Sequence, residues 1–304
     1  MLERFPDEGS CVKYLQETRW RDGAFCPHCG CRKVYHFKDG INHKCADCRK
    51  RFSVKVGTIF EDSKIPLRKW FIAIYLITAH KKGISSLQLA ADLDVTQKTA
   101  WFILHRLRFA TQTKSFNAPL KNMVEADESY IGGKERNKHA DKRTPGTQGR
   151  NTDTKAAVVA LVERGGDVRA FHVEDVKSQT LKKLIVENVA LGAVVMTDEY
   201  SAYNGLAPFY THESVNHSDG HYVIGDAHTN TAEGFFSLFK RGLIGIYHYM
   251  SKKHLENYLS EFAFRYNLRN AEHGTPFAVL MDNTGGRLTY KALIADKGKG
   301  TNAR

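Results

Sequence analysis

Three acidic residues, each placed by its own local sequence, constrain this chain more than any other feature: Asp127, Asp198 and Glu233. Asp127 lies inside Val124-Glu125-Ala126-Asp127-Glu128-Ser129-Tyr130-Ile131, a β-type run that stops at Gly132-Gly133. Asp198 follows Ala193-Val194-Val195-Met196-Thr197, a continuous apolar run of the kind found in buried strands. Glu233 opens a helical stretch over residues 230–240. Two strand ends and a helix start can carry their acids to one place, where repulsion between them is relieved only by cations. A pair of divalent ions held this way clamps the attacking and leaving oxygens of an in-line phosphoryl displacement. Mg²⁺ or Mn²⁺ is therefore the expected catalytic cofactor.

Each acid has competitors. Strand alternation sends Glu128 to the opposite face from Asp127, but Glu125 shares its face. Glu199 faces away from Asp198 if that strand persists. Asn230-x-x-Glu233 also fits a capping box, which leaves Asp226 as an alternative third ligand. Lys240 falls seven residues, two helical turns, after Glu233 and shares its face, where a cation can hold a phosphate. Tyr247, His248 and Tyr249 are candidates for stacking on or bonding to DNA, with core packing the competing role; His217 and His221 have metal-like spacing, but a His pair in a polar loop is usually just solvated.

Around these acids the order of elements is strand, polar loop, strand, strand, helix, strand. The second and third strands are read at residues 156–162 and 168–173, the helix from Ser178 to Val189, and a polar loop at residues 212–228. That order matches a ribonuclease-H-like α/β fold, with the Asp198 strand beside the Asp127 strand.

Cys26-Pro27-His28-Cys29 and Cys45-Ala46-Asp47-Cys48 are two CxxC knuckles separated by 15 residues. Four thiolates complete a closed tetrahedral Zn²⁺ site, so the zinc is expected to be structural. Asp39-Gly40 signals the hairpin that brings the knuckles together, while Cys11 and Cys31 read as spare thiols. A redox pair or a disulfide is the competing use of the CxxC pairs.

Residues 67–80 read as an amphipathic or largely buried helix. Ser85 or Ser86 then caps a short helix, and Thr96 caps a longer one running to Phe109. A short helix, a tight turn and a longer helix is the arrangement that places a second helix in a DNA groove. Gln97, Lys98, His105, Arg106 and Arg108 are its candidate DNA contacts, against a plain three-helix packing module. Residues 1–123 hold 22 Lys+Arg against 11 Asp+Glu, and residues 124–304 hold 23 against 22. The net charge of +12 thus sits almost wholly in the first part, which is expected to bind phosphates; solubility alone is the competing explanation.

With these residues in view, the chain resembles bacterial insertion-sequence transposases of the ISXO-like group with an N-terminal zinc ribbon. The matching motifs are CPHC at 26–29, CADC at 45–48, ADESYIGG at 126–133, TDEYSAY at 197–203 and HTNTAEGFFSLFKRGLIGIYH at 228–248. The resemblance implies a DDE triad carried by Asp127, Asp198 and Glu233, with Lys240 as the following basic residue. The expected division is zinc ribbon at 1–60, helix-turn-helix at 61–115, ribonuclease-H-like catalytic domain at 120–285 and tail at 286–304. DNA is the expected partner, at the element's ends and at the target, bound by a homodimer or higher oligomer. The acidic, interrupted start and the lack of a long apolar run point to the cytoplasm and away from a membrane. A DNA-binding regulator with a non-catalytic core, or a stand-alone nuclease, are the competing classes.

Overall fold

The computed structural model describes residues 1, 3–112, 118–133, 139–143, 154–215 and 228–295. The chain forms two compact units, Met1–Gln112 with Asn270–Arg304 and Thr113–Arg269.

The first unit opens with α1 (Glu8–Arg19), which Asp7 caps by accepting the Ser10 amide at 2.7 Å. Strands β1 (Val34–His36), β2 (Asn42–Cys45) and β3 (Arg51–Ser53) form an antiparallel sheet in that order. The expected hairpin turn is held by Asp39, whose Oδ1 accepts the amides of Ile41 and Asn42 at 3.0 and 2.9 Å. Helix α2 (Leu67–Ala79) starts at Pro66, which supplies no side-chain cap. Glu8 of α1 serves instead, accepting the Leu67 and Arg68 amides at 2.7 and 3.0 Å. Ser85 caps α3 (Ser86–Leu93), left-handed Asp94 makes the turn, and Thr96 caps α4 (Gln97–Thr111).

The second unit is a five-stranded sheet. Strands β4 (Met123–Ile131), β5 (Ala156–Glu163) and β6 (Val168–Val173) pair antiparallel. Helix α5 (Ser178–Asn188) then crosses to β7 (Val194–Asp198), which runs parallel to β4. Strand β8 (Thr211–Val215) adds in parallel at the edge, giving the order β6-β5-β4-β7-β8. The polar stretch expected to be a loop from residue 212 therefore begins as a strand. Leu181 and Ile185 of α5 pack with Val124, Ala126 and Val195 on one face. The other face carries α6 (Asn230–Gly242) and α7 (Leu255–Asn267), whose Phe235, Phe239, Leu259 and Phe262 pack with Val158, Ala160 and Val162. Covered on both sides, β5 is buried from Ala156 to Val162, which accounts for its unbroken apolar sequence.

The chain then returns to the first unit with α8 (Thr275–Asp282) and α9 (Tyr290–Ile294). Phe277 lies 5.9 Å from Phe5 and 5.8 Å from Phe71, centroid to centroid, and Gly285 bridges Thr58. Residues 270–285, grouped with the catalytic body from the sequence, and 286–295, read as tail, thus complete the N-terminal core.

Candidate active site and zinc centre

Helix α6 is amphipathic by residue spacing. Ala232, Phe235, Phe236 and Phe239 are buried against the sheet, while Glu233, Ser237, Lys240 and Arg241 are exposed. The exposed face and the middle of β4 enclose a cleft of about 450 Å³, lined by Asp127, Glu128, Glu233, Phe236, Lys240 and Arg241, among others; Asp127 is the central residue of that strand, not its end. Lys240 Nζ stands 6.0 Å from the Phe236 ring centroid.

Asp198 reaches the same neighbourhood through the sheet. The β4–β7 register pairs Ala126 with Thr197, so Asp127 and Asp198 are the next residues on adjacent parallel strands and face the same side. Asp198 Oδ1 accepts the Tyr200 amide at 3.0 Å, and Thr197 Oγ1 lies 3.0 Å from His212 Nε2 on β8. Burial pushes the Asp127 carboxyl up to about 7, aided by the charges of Glu128, Asp198 and Glu233 and opposed by the hydrogen bond from the Glu128 amide. Among the described residues, only the four cysteines form a group of three or more ligand atoms all within 4.8 Å of one another. The three acids are neighbours, but more widely spaced than that.

The competitors resolve differently. Glu128 accepts a 2.8 Å hydrogen bond from the buried Tyr203 hydroxyl, on the α5 side. Burial, with the Glu128 charge behind it, holds the Tyr203 hydroxyl well above the ordinary tyrosine range. Glu125 is fully buried and turned to the start of α6, where its carboxylate accepts the Thr231 and Ala232 amides at 2.7 and 2.9 Å. Helix α6 makes no side-chain cap of its own at Thr229, so the capping box expected of Asn230 and Glu233 does not form. Tyr247 packs edge-on against Tyr258 at 5.0 Å and donates to Glu261 at 2.6 Å, whereas Tyr249 is exposed. Asp226, His217 and His221 lie outside the described residues.

In the ribbon, Cys26 Sγ and Cys48 Sγ stand 3.7 Å apart, and Cys29 Sγ and Cys45 Sγ 3.6 Å. A tetrahedral Zn²⁺ with bonds of ~2.3 Å requires sulfur–sulfur separations of roughly 3.8 Å, so the tetrad fits zinc. Cys11 is buried in α1, and burial pushes its thiol up to about 11. Cys31 stands outside the tetrad.

The expected DNA contacts on α4 divide. Gln97 and Lys98 are exposed, with Gln97 Nε2 donating to Ser86 Oγ at 2.8 Å and Lys98 Nζ 5.4 Å from the Tyr290 ring centroid. His105, Arg106 and Arg108 are buried, which corrects their reading as surface contacts. The Arg106 guanidinium donates to the carbonyls of Ile59, Glu61 and Leu288 at 2.7, 3.0 and 3.1 Å. A guanidinium spent on buried carbonyls is not available to a phosphate.

Residues 119–267 match the ISXO2-like transposase domain, and residues 6–51 match the transposase zinc-ribbon domain. A protein in transposable element ISH50 of Halobacterium salinarum is 34% identical over 281 residues, covering 87% of this chain and 92% of that one. A transposase-like protein of Haemophilus influenzae is 31% identical over 117 residues, covering 38% of this chain and 92% of its own. Among solved structures the chain is similar to that in the crystal structure of the Mos1 Strand Transfer Complex, at 14% identity and a TM-score of 0.23, covering 70% of this chain and 78% of that one. So loose a superposition transfers no residue role. No helix among the described residues is long and apolar enough to cross a membrane. With two transposase domains matched in order, and a relative aligned along nearly its whole length, the chain belongs to the ISXO2-like transposases.

Proposed function

We propose that this transposase binds the ends of its own element and cuts and joins DNA with Asp127, Asp198 and Glu233 as a DDE triad. The observation that carries the reading is the parallel register that sets Asp198 beside Asp127, with Glu233 on the far wall of the cleft. A sheet of three antiparallel strands extended by two parallel ones, with helices on both faces, supports a ribonuclease-H-like core. The acids also fit divalent cations, because a half-buried carboxylate among three others requires a positive partner to stay ionised. Two Mg²⁺ or Mn²⁺ ions, when bound, supply charge to the attacking and the leaving oxygen of a phosphodiester. Lys240 and Arg241 face the same cleft and hold the phosphate of the element end. Water hydrolyses the bond and frees a 3′-hydroxyl, which then attacks target DNA in the same in-line geometry. Joining two ends requires at least a dimer, working on cytoplasmic DNA.

DNA recognition is assigned to the first unit. Gln97 and Lys98 mark the exposed start of α4, in the helix-turn-helix reading of α3 and α4. The outward face of the ribbon adds Tyr35, Lys44 and Arg51, paired in register across the three strands, with Arg51 5.3 Å from the ring centroid of exposed Phe37. Cations for phosphates and rings for bases suit a DNA surface.

Asp198→Asn keeps the shape of the side chain and removes one ligand charge. End binding is expected to survive while nicking and strand transfer of end-containing oligonucleotides in Mg²⁺ both fail. Glu199→Gln, at an exposed position one residue on, is expected to be mild. Full cleavage by Asp198→Asn, or equal loss in both variants, refutes the assignment.

A further inference from the structure

The carboxylate of Glu125 is fully buried, two residues from Asp127 and on the same face of β4. Its Oε2 accepts the amides of Thr231 and Ala232 at 2.7 and 2.9 Å. Its Oε1 accepts the Thr231 hydroxyl at 2.9 Å and Arg164 Nε at 2.6 Å, and lies 3.2 Å from His228 Nδ1. Arg164 extends the tie by donating to the His228 carbonyl at 2.9 Å. These are the amides a helix leaves free at its start, and a carboxylate there also meets the positive end of the helix dipole. Glu8 caps α2 from another element in the same way, but at that helix no acid follows within the first turn. At α6 the residue after Ala232 is Glu233.

We infer that Glu125 is a positioning residue that pins the start of α6 to β4 and so sets Glu233 at its working distance from Asp127. The inference rests on the triad reading above. Asp127, Asp198 and Glu233 repel one another before any cation arrives, and the repulsion acts to push the start of α6 away from the sheet. One strand carries both the first acid and the clamp for the third, so the spacing between them is fixed by the main chain of two residues. Removing the clamp leaves all three ligands in place but no longer preorganised, and the metal must then do the work of gathering them. Supporting partners of metal ligands typically cost about 10–100-fold in metal affinity when lost.

The test measures Mn²⁺ binding to the full zinc-loaded chain by calorimetric titration, alongside the Mn²⁺ dependence of nicking. Glu125→Gln keeps the size and loses the charge, and also turns an amide donor toward Arg164. Its Mn²⁺ half-saturation is expected to rise at least tenfold in both measurements, with nicking recovering at saturating Mn²⁺. Thr231→Val removes one of the five contacts and is expected to shift both severalfold in the same direction; it decides the matter if Glu125→Gln does not fold. Ile185→Val on α5, on the opposite face of the sheet, lowers stability without touching the clamp and is expected to leave Mn²⁺ binding unchanged. Unaltered Mn²⁺ affinity in the Glu125 and Thr231 variants, or an equal loss in Ile185→Val, overturns the inference. Glu233→Gln separates the two claims: if it binds Mn²⁺ like the parent protein, the triad reading falls first and the clamp with it.

Discussion

Asp127→Asn is expected to stabilise the protein that lacks divalent ions, while abolishing its chemistry. An aspartate has an ordinary value of 3.8, and burial among Glu128, Asp198 and Glu233 pushes Asp127 up to about 7. Between those values the folded chain holds a proton that the unfolded chain has released. Stability therefore falls as pH rises through this window, and the loss is complete above about 7. A shift of about three units at ~1.4 kcal/mol each sets a ceiling near 4 kcal/mol, since side-chain movement in an unmetalled cleft relieves part of the repulsion. For a unit of this size that corresponds to roughly 8–16 °C in Tm. The assay is thermal melting of the second unit's transition from pH 5 to 8.5, after dialysis against buffer free of Mg²⁺ and of strong chelators, so that the ribbon keeps its zinc. The parent protein is expected to melt lower at pH 8 than at pH 5.5, and Mn²⁺ at pH 8 is expected to restore it. Asp127→Asn is expected to lose this component of the pH dependence and the response to Mn²⁺. A variant with the same slope as the parent, or a parent that gains stability over this range, refutes the electrostatic account of the cleft.

Three further outcomes separate the roles of the first unit. Cys45→Ser leaves three thiolates, and because a structural zinc site forms only with its metal, the variant is expected to lose stoichiometric zinc and the cooperative melting of that unit; zinc analysis and calorimetry check this. Arg106→Ala strands the Ile59, Glu61 and Leu288 carbonyls and is expected to destabilise by about 2–4 kcal/mol in denaturant titration, with the salt dependence of DNA binding unchanged. Lys44→Ala with Arg51→Ala, on the exposed ribbon face, is expected to do the reverse, holding stability and reducing the salt slope by up to about two counterions.

What was legible in the sequence follows from how local its physics is. The run before Asp198 and the unbroken apolar segment of β5 announce buried strands by themselves, and the two CxxC knuckles state their geometry in their spacing. Thr96 and Ser85 cap their helices through contacts three residues away, so they too are readable. Arg106 is not, because the carbonyls that draw it inward lie 45, 47 and 182 residues away, and nothing in α4 itself distinguishes a guanidinium bound for the core from one bound for solvent. The edge strand β8 is hidden for a related reason: its ladder is made by main-chain groups, and its exposed Thr211, Glu213 and Ser214 keep the composition of a loop. Glu125 falls between these cases. Alternation along β4 places it on the same face as Asp127, toward α6, and an acid fully buried there must find several donors or give up its charge. The sequence, by contrast, suggests that the helix start 106 residues further on caps itself through Asn230-x-x-Glu233, a box that does not form. What it does not offer is the pairing of the two needs, which appears only once α6 lies across the strand. A competing ligand for the metals in one dimension thus becomes, in three, the group that holds the third ligand's helix in place.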